Sequence, residues 1–166
     1  QEHFTDEESE SIMDSVIDII RAFRNLRAEL NIAPNISLEV QIEAESINHI
    51  AQQFGIIEQL ANVSIGNNEL AVRFKEDDRK QSVSIVLDKS TLTIAVKDYI
   101  NVAAEIDRLT QELEGIDVRV ASVAKRLADP KFLTNAPDDI VDKETEKHQT
   151  LKERSEKLAK LLAQLK

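Results

Sequence analysis

Two sets of cations in this chain have the types and spacing to meet a polyanion. Arg21, Arg24 and Arg27 recur at steps of three within a helical run, a tilted row that either pairs with nearby acids in solvent or contacts phosphates. The second set is Arg119, Lys125, Arg126, Lys131, Lys143 and Lys147, with Phe132 among them. Ammonium and guanidinium groups suit phosphate oxygens, and a flat ring suits stacking. On the competing reading these cations solubilise a helical hairpin beside Asp and Glu, and Phe132 caps its apolar seam.

Other chemistries find little support. Cysteine is absent and Met13 is the only methionine, so neither a disulfide framework nor a cysteine-based metal site is available. With 3 glycines a phosphate-cradling loop is not expected. His148 stands far in sequence from His3 and His49, and Glu144, four residues before it, makes a local pair rather than a catalytic dyad. No catalytic residues and no metal ligands are expected. The net charge of -10 argues against nucleic acid at first sight, but it is unevenly spread. Residues 1–100 hold 9 basic and 18 acidic side chains, and residues 101–166 hold 12 and 13, so the second part has room for a basic stripe.

The elements that must position these residues fall into three segments, giving an expected α+β fold: an N-terminal helix, a small antiparallel sheet with a helix, then a long antiparallel two-helix coiled coil. Thr5 to Glu8 reads as a capping box. After it Ile12, Val16, Ile19, Phe23, Leu26 and Leu30 gather on one face of a helix ending before Pro34. So wide a stripe needs burial, and little downstream looks made to cover it, which implies partner helices upstream and a chain excised from something longer. The same stripe offers a route to a homodimer.

From Ile36 the period drops to two, through Leu38, Val40 and Ile42, as in a half-buried strand. Ser46 is placed to cap a short helix with Ile47, Ile50, Ala51 and Phe54 on one face, stopped by Gly55. Alternation returns at Leu70, Val72 and Phe74, at Val83, Ile85 and Leu87, and at Leu92, Ile94 and Val96, with turns at Asn67-Asn68 and Asp88-Lys89-Ser90.

Val102, Ile106, Leu109, Leu113, Ile116, Val120, Val123 and Leu127 then alternate by four and three, the seam of a coiled coil. Breaks follow at Asp129-Pro130 and Pro137, where Asp138 or Asp139 is placed to cap a second helix. Its matching seam runs Val141, Glu144, His148, Leu151, Ser155, Leu158, Leu162 and Leu165. Folding back at 128–138 sets Val120 near His148 and Leu113 near Ser155. The half nearest the connection, with Glu144 and His148 in its seam, is expected to be the looser one. Domain limits follow as 1–35, 36–99 and 100–166. No apolar run spans a bilayer, and the lack of cysteine fits a reducing, cytoplasmic setting.

Residues 127–147, with Phe132, Ala136-Pro137, Val141 and Glu144, resemble the hairpin connection of the C-terminal coiled-coil arm of bacterial-type valyl-tRNA synthetases; Ile140 stands where that pattern has a valine. Ile20 to Glu29, with Pro34, is similar to the helix that closes the family's anticodon-binding bundle. The middle matches in pattern only. The family is a class I ligase that uses ATP and magnesium to join valine to its tRNA. Its His-Ile-Gly-His-like and Lys-Met-Ser-Lys-Ser-like signatures are absent here, so the resemblance puts catalysis and editing in upstream domains.

What the resemblance implies for this part is tRNA holding, with the arm against the outer corner of the tRNA where the D and T loops meet. On that basis Arg119, Lys125, Arg126, Lys131, Phe132, Lys143 and Lys147 face RNA, Arg126 and Lys131 foremost, and Arg21, Arg24 and Arg27 add a contact from the bundle helix. The partners are then the valine tRNA and the rest of the synthetase. The alternative is a non-enzymatic coiled-coil module that docks a protein.

Overall fold

The computed structural model describes residues 6–66 and 82–166 of the 166. Thr5 of the capping box, the turn at Asn67-Asn68 and the strand expected at Leu70, Val72 and Phe74 lie outside the described residues. The chain divides into two compact units, Gln1–Val102 and Ala103–Lys166.

The first unit opens with α1 (Asp6–Glu29). Its stripe is covered at home: Val16, Ile19, Phe23, Leu26 and Leu30 are all buried, Ile19 and Phe23 with no exposed surface. The expectation that upstream helices must cover this stripe is therefore corrected. The cover comes from two short helices, α2 (Ile47–Ala51) and α3 (Phe54–Ala61), both packed on α1, and from the sheet that follows. Gly55 does not stop a helix as expected. It is the second residue of α3, which begins at Phe54, and the Ser46 side chain makes no capping hydrogen bond.

The sheet has four strands among the described residues: β1 (Leu38–Ala44), β2 (Val63–Ile65), β3 (Ser82–Val86) and β4 (Ser90–Ala95), in the order β2-β1-β4-β3. β3 and β4 form a hairpin, and β4 pairs antiparallel with β1, setting Val40 opposite Ile94 and Ile42 opposite Leu92. β2 runs parallel to β1, with Leu38 opposite Val63. The sheet is therefore mixed, not the antiparallel sheet expected. The cause is the connection: α2 and α3 carry the chain back to the end where β1 began, as a parallel neighbour requires. Leu38, Val40, Ile42, Val63, Val83, Leu92 and Ile94 are buried and join Ile50, Ile57 and the α1 stripe in one core. At about 25 cal/mol per Å² of apolar surface removed from water, this two-layer core is the main stabilising term of the unit.

The second unit holds α4 (Val102–Leu127), α5 (Pro130–Asn135) and α6 (Asp138–Leu165). α4 ends where the seam ends, at the Asp129-Pro130 break. There Asp129 caps the six-residue α5 by accepting from the Lys131 amide at 3.0 Å, with Pro130 in the first turn, where its missing N–H costs nothing. Neither Asp138 nor Asp139 caps α6. The cap position is Pro137, with no side-chain hydrogen bond, and the two acids occupy the first turn, where they favour the helix dipole. Glu112 and Asp117, midway along α4, pair with Arg154 and Ser155, past the middle of α6, and Arg126 at the end of α4 pairs with Glu144 near the start of α6, so the two helices run antiparallel. The buried apolar residues are Leu109, Ile116 and Val123, seven apart on α4, and Leu158, Leu161, Leu162 and Leu165 on α6.

Candidate nucleic-acid interface

The arginine row of α1 divides. Arg21 points outward and pairs with Asp18 at 3.1 Å. Arg24 sends Nε and Nη2 to the Leu60 carbonyl at 3.1 and 2.8 Å. Arg27 is 6% exposed and donates to the carbonyls of Ala61, Asn62 and Ala33. Ala61 lies at the end of α3, where a helix leaves its carbonyls without partners, while the Ala33 and Asn62 carbonyls also accept from the Ile36 and Leu38 amides at 3.1 and 3.2 Å. Asn62, left-handed at φ 52, closes α3 and donates to the Pro34 carbonyl at 2.7 Å, joining the same knot. Desolvation lowers the pKa of the Arg27 guanidinium and nearby Tyr99 acts the other way. As a phosphate ligand Arg27 is corrected: its fork is turned inward and serves as a helix cap. A further recess of about 400 Å³ lies between α1 and the β3–β4 turn, lined by Glu7, Glu10, Asp14, Asp18 and Asp88 with Lys89, and its charge repels phosphate.

The cations of the second unit are arranged differently. Arg119 and Lys125 are exposed on α4 and pair with no carboxylate among the described residues. Arg126 reaches across to Glu144 at 3.2 Å, and Lys147 lies 3.9 Å from the same oxygen. Lys143 is 71% exposed and holds Asp139 at 3.7 Å. Lys131 is exposed on α5 beside the half-buried Phe132, with Leu133 and Ile140 exposed at the same end of the hairpin.

Helical geometry extends this group. Arg108, Arg119 and Arg126 are separated by 11 and 7 residues, close to three and two whole turns, so they lie nearly in line on α4. Lys143, Lys147, Arg154 and Lys157 fall within about a quarter-turn on α6. The two rows share one flank of the hairpin, because Glu112 joins Arg108 to Arg154 and Glu144 joins Arg126 to Lys147. Arg108, Arg154 and Lys157 were not singled out in the sequence. The signal was their separation by multiples of about 3.6 from the cations that were, a relation that shows only when the whole helix is laid out. The flank measures about 27 Å from Arg108 to Arg126. Such a row suits a phosphate backbone, with α5 supplying a ring and aliphatic side chains at one end.

The described residues contain no group of three or more His, Cys, Asp or Glu able to hold a metal ion, and no helix among them is long and apolar enough to cross a membrane. His148 is half-buried in the hairpin.

Comparison with known proteins adds the following. A family model described as the valyl tRNA synthetase tRNA binding arm matches residues 101–166. A valine–tRNA ligase from Clostridium acetobutylicum is 30% identical over 168 residues, covering 100% of this chain and 19% of that protein. One from Geobacillus stearothermophilus is 32% identical over 165 residues, covering 98% of this chain and 18% of its own, and one from Mesorhizobium japonicum is 30% identical over 166 residues, covering 98% and 17%. The chain spans less than a fifth of the length of these curated relatives.

Proposed function

This chain belongs to the valyl-tRNA synthetase family, as its C-terminal region, and on that premise we propose that it holds the valine tRNA for an ATP-dependent ligase whose catalysis and editing lie in other domains. The α4–α6 hairpin is the arm, packed as a coiled coil, and its target is the outer corner of the tRNA where the D and T loops meet. Residues 1–35 act as the terminal helix of the anticodon-binding bundle and 36–99 as a connecting domain. ATP and magnesium are handled elsewhere in the parent enzyme, which works in the cytoplasm.

The observation that carries this reading is the shared flank, where Arg119 and Arg126 of α4 and Lys143 and Lys147 of α6 line up toward the α5 connection with Lys125, Lys131 and Phe132 at its end. In α1, Arg21 and Arg24 remain candidates for an additional contact, and Arg27 does not. Because Arg126 is tied to Glu144, the clean test reverses charge at Lys125, Lys131 and Lys143 together. The triple Glu variant is expected to bind a valine tRNA transcript at least about tenfold more weakly at low salt, with a salt slope flatter by about one for each phosphate that is no longer neutralised. Unchanged affinity and slope would point to a protein-docking module instead.

A further inference from the structure

The two ion-pair clusters of the arm share one plan. Glu112 on α4 takes Arg154 of the opposite helix at 2.8 Å and lies 3.5 Å from Arg108 of its own helix, whose shorter pair is with Glu105 at 2.7 Å. Glu144 on α6 mirrors this, with Arg126 across the hairpin at 3.2 Å and Lys147 on its own helix at 3.9 Å. Each carboxylate stands between two cations, one from each helix. The Glu144 side chain is only 15% exposed, and its second oxygen, Oε2, is buried with no hydrogen-bond partner. A carboxylate so far removed from water attracts its cations more strongly than a surface acid does. Nothing about holding the hairpin together requires the acids to stand among the cations of the RNA-facing flank. Apolar contacts or pairs on the other flank, such as Ser155–Asp117, would serve equally well.

Resting on the RNA-holding reading above, we propose that Glu112 and Glu144 are internal competitors for phosphate, so that RNA binding exchanges ion pairs on this flank instead of adding them. An arriving phosphate takes Arg126 and Lys147 from Glu144, or Arg154 from Glu112, and the displaced carboxylate recruits counterions from solution. The gain per contact is thereby lowered. A flexible strand engages phosphates one at a time, with an ordering entropy to overcome for each, and barely offsets the exchange. A rigid folded RNA, presenting phosphates to both clusters at a fixed separation, offsets it at both together. The acids thus set a preference for folded RNA over loose polyanion by weakening both.

The test uses the full chain with Glu144→Gln and Glu112→Gln, which keep side-chain shape and one acceptor oxygen while removing the charge. Binding of a valine tRNA transcript and of single-stranded poly(U) of equal length is measured from low to moderate salt, with helicity followed by circular dichroism. Each variant is expected to bind both RNAs more tightly, poly(U) by the larger factor, roughly three- to tenfold at low salt, with a salt slope steeper by about one. Unchanged or weaker binding by a variant of native helicity overturns the inference, as does loss of helicity in both variants, which would make the acids structural pairs. If the unaltered chain binds no tRNA, the RNA-holding reading fails and this one with it. If it binds, and reversal at Lys125, Lys131 and Lys143 weakens it while the Gln variants do not tighten it, this inference alone fails.

Discussion

Arg21 and Arg27 leave the same helix and end in opposite surroundings. The Arg21–Asp18 pair has side chains 66% and 57% exposed, where solvent and side-chain entropy leave an ion pair worth roughly 0 to 1 kcal/mol. Arg27 is buried and donates to three carbonyls, so its loss strands the buried Ala61 carbonyl and removes a second donor from those of Ala33 and Asn62, which keep the Ile36 and Leu38 amides. Arg27→Ala is expected to lower the stability of the first unit by roughly 2 to 4 kcal/mol, and Arg21→Ala by less than about 0.5 kcal/mol. Urea unfolding followed by Tyr99 emission measures both, since the chain has 1 tyrosine and no tryptophan, and the Tyr99 hydroxyl accepts from the Glu39 amide at 2.9 Å. Equal losses would show that the knot contributes nothing. The different environments have a simple origin that the spacing alone conceals. Steps of three on a helix of about 3.6 residues per turn rotate some 60° each time, so a row that starts in solvent at Arg21 has turned to the core side by Arg27. The cations near the α5 connection, Lys125, Arg126, Lys131, Lys143 and Lys147, are all exposed.

Among the elements, α4 was the most legible: seam periodicity and the Asp129-Pro130 break gave both of its ends, and the structure sets it at Val102–Leu127. Gly115 lies within it, and a Cβ built there meets nothing within 4 Å. Gly115→Ala is therefore expected to stabilise the hairpin by about 0.5 to 1 kcal/mol, chiefly by restricting the unfolded chain. A thermal melt followed at the helical circular-dichroism band would show a raised midpoint; a lowered one would mean that another surface packs on this position. The sheet was half legible. Alternation located β1, β3 and β4 because one face is buried, but a period of two carries no information on strand direction, and β2 at three residues is too short to show a period at all. Its parallel pairing follows from α2 and α3, which the sequence presents as one short helix, because Gly55 looks like a stop. The buried residues of α6 all lie between Leu158 and Leu165, at the end away from α5.

At the scale of the whole molecule, the main question is self-association. A homodimer through α1 depended on its stripe being uncovered, and that stripe is buried within its own unit. What α1 leaves outside is Met13 and Ile17, each a little under half exposed, a surface far smaller than a stable dimer needs. Light scattering on the free chain is expected to give the monomer mass of 18.7 kDa at micromolar concentration. A dimer that dissociates on Met13→Ser and Ile17→Ser substitution would instead assign those residues to an interface.

The strand order has a consequence for how the molecule is made. β1 sits in the middle of its sheet, but its parallel neighbour follows it by about 25 residues and its antiparallel one by about 50, so its edges wait unpaired while the intervening chain is synthesised. The hairpin of α4 and α6 closes from α5 outward, its nearest cross-helix pair, Arg126–Glu144, joining positions on either side of that connection. In a nascent polypeptide the arm is thus poised to fold soon after its last turn is free, and the older segment carries the longer exposure to misassembly on the ribosome.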